Sequence, residues 1–412
     1  MNIFKFGGAS LKNSDRLIRV RNIVAANQPD KLLVVVSAMG DTTDLLEDIA
    51  MAAYHKKNFQ RELGHLKKFH LNLCEDLSII DLIEKQLDSL FSEIENTALQ
   101  ITDRDKLYDS IVCFGEIISS KIVTVFLEVG DLHPYWLDAR TYIQTDNTFR
   151  EGRVLWKETE ERMHELKKSS EKLFITQGFI GSTAKKETTT LGREGSDFTA
   201  AIFGSCLNAT SVTIWKDVAG VMSADPKRRP HAIIFDELPY KEAAEMTYYG
   251  ASVIHPKTIK PLANKGIPLW VKCFLDPTLA GTKIHECIVD KLPPLIVYKG
   301  NQCLVSCKVL DYTFVDELQI GVIFKALADL NIRINVMQNS AISFSFCIDY
   351  REDKVLKLIE ELSKSFEVYY NANLTLITIK NYDAKTSAEF KNMKGVILEQ
   401  SSRSTLQILV KI

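Results

Sequence analysis

The sequence predicts an α/β protein: a central, mostly parallel sheet covered by helices, then a smaller α+β part in two similar pieces. Three observations carry this reading. Short, continuous runs of branched apolar residues alternate with helical stretches through the first two-thirds of the chain, as strands covered on both faces require. Each run ends in glycine or polar residues, at the carboxyl ends where open α/β sheets place their ligands. Beyond Pro293-Pro294 the alternation changes to β-α-β-β and recurs once more in whole or in part, without a sharp sequence repeat.

In chain order, Asn2-Ile3-Phe4 is a short strand running into Lys5-Phe6-Gly7-Gly8-Ala9-Ser10, and Leu32 to Val36 is a buried strand ending at Ser37-Ala38. From Thr42 to about Glu128 the pattern is helical and highly charged, with a break at Ile101-Thr102-Asp103-Arg104. This long insertion reads as a lobe on the substrate side. Strands follow at Leu173–Thr176, Ser211–Trp215 and Pro268–Val271, ending at Gln177-Gly178, Lys216-Asp217 and near Lys272. A boundary follows Gly281-Thr282, and Lys291-Leu292-Pro293-Pro294 reads as a linker end because it cannot continue a helix. The remaining strands are expected at Leu304–Val309, Ile342–Ile348, Leu374–Ile379 and Leu406–Val410, with helices near Gln319–Leu330 and Asp353–Ser365.

Composition narrows the function. A chain of 412 residues, 46% hydrophobic, holds two or three domains with real cores. A net charge of −2 gives no basic field, which argues against nucleic acid as a partner. No apolar run is expected to reach the roughly 18–20 residues of a membrane span, and the amino terminus does not read as a secretory signal. Eight scattered cysteines with no CxxC fit a reducing cytoplasm. Cys303 and Cys307 read as packing residues, and no resident metal site stands out.

The chemistry lies in the loops. Lys5-Phe6-Gly7-Gly8 and Gly192-Arg193-Glu194-Gly195-Ser196-Asp197 each join a strand to a helix. Glycines there leave backbone N–H groups free to surround an anion, and the helix start adds its positive end. Two such loops point to a polyphosphate. Lys5 could neutralise charge gathering on a transferring phosphoryl group, and Ser10 could cap a helix starting near Ser14. In the second loop Ser196 or Asp197 suits an N-cap of the helix Phe198–Cys206. Arg193 could hold a carboxylate, and Asp197 could organise Mg²⁺ or a catalytic lysine. Lys216 and Asp217 could meet a nucleotide, with Lys227 reaching its phosphates, although Asp225-Pro226 is also a common turn starter. Glu116 alone reads as a helix cap, and His255, beside Pro256, as structural. Neither a Walker loop, nor the protein-kinase motifs, nor a dinucleotide Gly-x-Gly-x-x-Gly is present.

Together the segments resemble the aspartate kinases of the amino acid kinase superfamily. The matching pieces are Lys5 to Ser10, Val36-Ser37-Ala38, Thr43, Gly115-Glu116, Gln177 to Gly181, Thr188 to Asp197, Trp215 to Val218, Asp225-Pro226 and Gly250 to Pro256. Ile332 to Asp349 resembles the family's ACT-type regulatory domain. The resemblance implies a three-layer amino acid kinase sandwich over residues 1–285, with the helical insertion at about 42–130. Two ACT-like, ferredoxin-like domains at 295–366 and 367–412 would follow, with room for the second to interleave with the first. It implies transfer of phosphoryl from ATP, with Mg²⁺, to the β-carboxylate of L-aspartate, giving 4-phospho-L-aspartate for lysine, threonine, methionine and diaminopimelate synthesis. By the same resemblance Lys5 stabilises the transferring group, lined by Gly7 and Gly8, with Ser10 on the nucleotide side. Ser37, Thr43, Glu116 and Arg193 hold aspartate, Arg193 on a carboxylate and Glu116 towards the ammonium. Lys216, Asp217 and Lys227 contact ATP, and Asp197 positions the catalytic lysine. Asn331, Ile334, Asn335, Gln338, Asn339 and Ser340 are the positions offered to an amino acid effector, lysine or threonine. A homodimer or homotetramer through the ACT strands is implied, and the chain leaves no room for a fused homoserine dehydrogenase.

The sequence departs from that pattern in places. Ala9 replaces a threonine, Glu194 stands where glycine is usual and is expected to point away from the phosphates, and Ser252 replaces a lysine. Asn335 and Ala341 stand where carboxylates are common, leaving less compensating charge for a cationic effector. Two other readings stay open: a kinase for glutamate or N-acetylglutamate, and a catalytically silent amino acid sensor.

Overall fold

The computed structural model describes residues 1–27, 31–250, 254–289, 292–310 and 314–411. They form two compact units. The first comprises Met1–Val221, Ile234–Ala244 and Val253–Ile288, and the second Met222–Ile233, Glu245–Ser252 and Val289–Ile412.

The first unit opens with β1 (Asn2–Phe6), α1 (Gly8–Leu11), α2 (Ser14–Ala26) and β2 (Leu32–Val36). Five helices follow: α3 (Thr42–Tyr54), α4 (Gln60–Asp76), α5 (Ile80–Gln100), α6 (Arg104–Val112) and α7 (Phe114–Val129). The break expected near Ile101 is the turn between α5 and α6, where Asp103 caps α6 by accepting from the Lys106 N–H at 2.8 Å. Next come β3 (Tyr135–Leu137), α8 (Ala139–Tyr142), α9 (Trp156–Lys168), β4 (Leu173–Gln177), the hairpin β5 (Ile180–Ser182) and β6 (Thr188–Thr190), α10 (Gly195–Leu207) and β7 (Ser211–Lys216). The unit ends with β8 (Glu237–Pro239), α11 (Tyr240–Tyr248), which runs across the boundary between units, α12 (Pro256–Ala263), β9 (Leu269–Cys273) and β10 (Thr282–His285).

Eight strands form one sheet in the order β3-β4-β2-β1-β7-β9-β10-β8, parallel except where β9 meets β10. β2 is buried at every position, as its Leu-Leu-Val-Val-Val sequence requires. Burial also accounts for most of α7 and the second half of α6. The stretch Arg104–Val129 is by composition long and apolar enough to cross a membrane, contrary to expectation, but 78% of its most apolar window is buried within the protein. Its apolar surface is already covered by core.

In the second unit β11 (Leu295–Val309), α13 (Glu317–Asp329), β12 (Ile334–Asn339), β13 (Ser343–Asp349), α14 (Glu352–Leu362), β14 (Phe366–Lys380), α15 (Ala384–Lys391), β15 (Val396–Ser401) and β16 (Thr405–Val410) build one antiparallel sheet, β12-β13-β11-β14-β16-β15. The two β-α-β-β halves share it through β11 and β14, each of 15 residues. Cys303 and Cys307 lie on the face of β11 that packs against Ile323 and Leu327 of α13 and Leu358 of α14. They are core residues. Phe390 of α15 packs against the other half, beside Ile377 and Leu406.

Candidate active site

The register of the first sheet creates the site. β1 runs parallel between β2 and β7, pairing Lys5 with Val35 and Ile214 and Phe6 with Trp215. Lys216, the residue after Trp215, therefore ends its strand beside the carboxyl end of β1. Both ammonium groups converge on Asp197 in the first turn of α10: Lys5 Nζ lies 2.6 Å from Oδ1 and Lys216 Nζ 3.5 Å from Oδ2. Asp197 is only 2% exposed. Burial alone would raise its pKa, but the charges of Lys5 and Lys216 prevail and hold it below the ordinary value. One carboxylate shared by two lysines leaves a net positive charge at a helix amino terminus, which is a seat for an anion.

This cluster lines a cleft of about 630 Å³. Gly8 is in its wall, and a Cβ there would lie 2.8 Å from the Ala38 carbonyl oxygen, so only glycine lets the two backbones meet. Gly7 precedes α1, and a Cβ on it would come within 3.2 Å of Lys5 Nζ. Ser37, Thr43, Glu116 and Arg193 also line the cleft. Ser37 follows β2, with its carbonyl oxygen accepting from Ser119 Oγ at 2.6 Å. Thr43 lies in the first turn of α3, and Arg193 is exposed in the loop before α10.

Glu116 is more than a helix-start residue. It is buried on α7, where Oε1 accepts from the Ala38 N–H at 3.1 Å and Oε2 has no hydrogen-bond partner. Burial raises its pKa to about 8, against smaller lowering effects of the Ala38 N–H, its own backbone N–H and the charge of Lys5. A buried carboxyl with an unused oxygen on a cleft wall is suited to a cationic group.

Glu194 corrects an expectation. It lines the cleft and does not point away, and its Oε2 is buried without a hydrogen-bond partner. Its backbone is left-handed, φ 54°, at the N-cap of α10, which is the conformation a glycine would take most easily. Burial raises its pKa; Lys216, Arg193 and Lys5 counter this, while Asp197 reinforces it. The N-cap is thus Glu194 and neither Ser196 nor Asp197, both of which lie inside the first turn. Ser10 likewise is buried within α1, and Asn13 caps α2 by accepting from the Arg16 N–H at 3.1 Å.

Several residues of the cleft escaped the sequence reading. Tyr108 donates to Glu47 at 2.5 Å, and the Arg150 guanidinium lies 4.0 Å over the Tyr108 ring. All three line the cleft, with Glu151. Behind them Asp109 accepts from the N–H groups of Arg150 and Thr190, both at 2.9 Å, and from Thr190 Oγ1 at 2.8 Å. It ties α6 to the hairpin leading into the Gly192 loop. Burial lifts its pKa to about 6 despite these bonds. No local motif marks Asp109, because its partners are 41 and 81 residues away.

Other expected residues fall elsewhere. Asp217 is exposed and outside the cleft wall. Lys227 belongs to the second unit, in a turn where its N–H donates to Asp225 Oδ1 at 2.9 Å. His255 caps α12, its Nδ1 accepting from the Lys257 N–H at 3.2 Å. Ser252 lies outside the described residues.

The positions expected to meet an effector lie along β12 and its flanks in the second unit. Asn331 is left-handed, φ 50°, and Gln338, Asn339 and Ser340 are exposed. Ile334 opens β12 and is half-buried. Asn335 joins a cluster with Lys299, Gln302 and Asp349. Lys299 Nζ is 2.7 Å from Asp349 Oδ1 and 2.9 Å from Asn335 Oδ1, while Asn335 Nδ2 donates to Gln302 Oε1 at 2.6 Å and to Asp349 Oδ1 at 2.9 Å. A carboxylate is present after all, already paired with a lysine.

The Amino acid kinase family profile matches residues 1–273. Over 96% of its length the chain is 31% identical to the Lysine-sensitive aspartokinase 3 of Escherichia coli (strain K12), covering 90% of that protein. It is 29% identical to the aspartokinase of Chlamydia pneumoniae over 92% of this chain and 84% of that one. The chain belongs to the aspartate kinases of the amino acid kinase family. As an aspartate kinase it superposes along its whole length on the crystal structure of E. coli aspartokinase III in complex with aspartate and ADP, described as the R-state, with TM-score 0.85, 29% identity and 96% of that chain covered. The T-state complex of the same enzyme with lysine and aspartate gives 0.83 at 28% identity, again covering 100% of this chain and 96% of that one. ATP is the phosphoryl donor of this kinase.

Proposed function

We propose that the cleft phosphorylates the β-carboxylate of L-aspartate with MgATP, Lys5 neutralising charge on the transferring phosphoryl group. Asp197 fixes Lys5 and Lys216 in place, so neither must move as that charge develops. The substrate carboxylate is itself the nucleophile, and positioning with charge neutralisation supplies the catalysis without a general base. Glu116 takes the substrate ammonium, Arg193 its carboxylate, and Ser37 and Thr43 complete the aspartate end. Lys216 meets the nucleotide phosphates, with Gly7 and Gly8 beneath them. Asp217 and Lys227 remain candidate nucleotide contacts on resemblance alone. Mg²⁺ arrives on ATP. Both oxygens of Asp197 already face ammonium groups, whereas Glu194 Oε2, buried on the cleft wall, has no hydrogen-bond partner.

One observation carries the reading: two lysines, Lys5 and Lys216, gathered on the buried Asp197, and a buried, half-satisfied Glu116 line one cleft. The first suits phosphate and the second an ammonium, and an amino acid phosphorylated by ATP supplies both. A coupled ADP-release assay offering aspartate, glutamate and N-acetylglutamate separately tests it. Turnover with aspartate supports the assignment, and acyl phosphate from glutamate alone would overturn it.

We further propose that the second unit binds an amino acid effector along β12 and joins copies of the chain through its strands. The likeness to a relative named as lysine-sensitive, and to its lysine complex, supports this. The eight free cysteines fit action in the reducing cytoplasm.

A further inference from the structure

At the edge of the first sheet three donor side chains meet with no part in the cleft. Glu237 opens β8, the outermost strand; His285 ends β10 beside it; and Cys287 follows two residues later. One potential ligand atom from each, a carboxylate oxygen, an imidazole nitrogen and a thiol sulfur, lies within 4.8 Å of the other two, the sole such group of three found among the described residues. We propose that Glu237, His285 and Cys287 form a binding site for a borderline-soft divalent cation, Zn²⁺, which staples the edge strand β8 to the end of β10.

The donor set selects the ion. Mixed nitrogen, sulfur and carboxylate ligands suit Zn²⁺, whereas Mg²⁺ and Ca²⁺ favour oxygen alone. In a tetrahedral zinc site the ligand atoms stand about 3.4–3.6 Å apart, from bond lengths of about 2.0–2.3 Å. The three donors, within 4.8 Å of one another, are therefore no more than about 1.4 Å from the required separation, a shift that side-chain rotation supplies at a half-exposed Glu237. His285 Nε2 is buried and has no hydrogen-bond partner, although Glu237 Oε1 is only 3.3 Å away. The two groups pair directly only with a protonated imidazole, and a cation between them would serve both. Three protein ligands leave a fourth place for water.

The surroundings do not oppose a cation. Glu237 and Glu286 are the acidic groups acting on Cys287, and Lys283 is the basic one; its ammonium lies 5.8 Å over the Trp270 ring. Zinc must displace the thiol proton, so affinity should fall as the pH is lowered. The mechanical role follows from topology. β8 has three residues and pairs at its sheet edge with β10 alone, so few hydrogen bonds hold it, and Cys287 stands two residues before the chain enters the second unit at Val289.

The test exploits cysteine exposure: Cys287 is half-buried and the other seven cysteines are buried. Full-length protein stripped with a chelator should bind about one equivalent of Zn²⁺ in competition with a chromophoric chelator. Zn²⁺ should slow modification of Cys287 by a thiol reagent at least about tenfold, and Co²⁺ should give a thiolate-to-metal charge-transfer band. His285→Gln and Glu237→Gln should weaken binding about tenfold or more, and Cys287→Ser should abolish the band. Thermal melts of the metal-free variants verify folding, and Zn²⁺ should raise the melting temperature of the parent more than that of any variant. No protection of Cys287, or equal Zn²⁺ affinity in a folded His285→Gln/Cys287→Ser variant, would overturn the proposal.

Discussion

In the cleft, Lys5 and Lys216 share one buried carboxylate; in the second unit, Lys299 shares Asp349 with two amide side chains. The two clusters use similar groups and differ in what they leave over. Around the first stand Glu116 and Glu194, each with a buried oxygen that bonds to nothing, and a net positive charge at a helix start. The second is closed on itself: one ammonium, one carboxylate and two amides hydrogen-bonded together. Unfinished polar groups cost stability in the free protein and are recovered when a ligand binds. A finished network resists a ligand, because the newcomer must displace partners already in place. The comparison teaches that the cleft is poised for charged substrates, whereas the cationic effector proposed for β12 would have to compete with Lys299.

The sharpest way to break this comparison is Lys5→Ala. Removal of the charge nearest Asp197 should lower kcat by about 10²-fold or more with a smaller change in aspartate KM, the pattern for a contact made in the transition state. An unaltered kcat in steady-state assays would take Lys5 out of catalysis. Arg193→Ala should chiefly raise the aspartate KM, by about tenfold or more for loss of a charge-assisted carboxylate bond. A KM left where it was would make the loop arginine a surface residue.

Glu116→Gln separates the two sides of the argument. The Glu116 carboxyl has its pKa raised from 4.5 to about 8, so the folded state holds a proton that the unfolded state has lost between those values. Its contribution to stability is therefore full below pH 4.5 and declines as the pH rises to about 8. Glutamine carries no such penalty. Urea unfolding should show the variant gaining on the parent between pH 5 and pH 8, by at least about 1 kcal/mol, while its aspartate KM rises. Identical pH profiles would mean that Glu116 is not desolvated. In the parent, calorimetry of aspartate binding at pH 7 should detect proton release as the substrate ammonium draws Glu116 into its ionised form.

The smallest expected effect lies in the second unit. Lys299→Met should leave the Asp349 carboxylate without a cationic partner and tighten the response to added lysine by a few-fold, in activity titrations with lysine, threonine and both. An unchanged response would place the effector away from this cluster.

How much was legible depended on the range of the interactions. Leu32–Val36 emerged as β2 with those bounds because a strand buried on both faces writes itself as an unbroken apolar run. β12, Ile-Asn-Val-Met-Gln-Asn, went unread: an edge strand with mostly exposed side chains carries no such signature. The hairpin β5–β6 likewise carries no strand signature, because its strands are three residues each and rich in Gly, Ser and Thr. The two glycine loops were visible through residue type, since anion binding by backbone needs glycine locally. Asp109, Tyr108, Glu47 and Arg150 were invisible because partners far apart in sequence give each its meaning.

By itself the sequence determined which segments are strands or helices in the core and which loops could surround a phosphate, since burial pattern and backbone freedom are written in neighbouring residues. Tertiary structure alone decided that Lys216 stands beside Lys5, that Glu194 turns into the cleft, and that Lys299 occupies the carboxylate near β12. Those facts arise from strand order, register and loop conformation, which bring together residues that are not neighbours in sequence and set the charge each one feels.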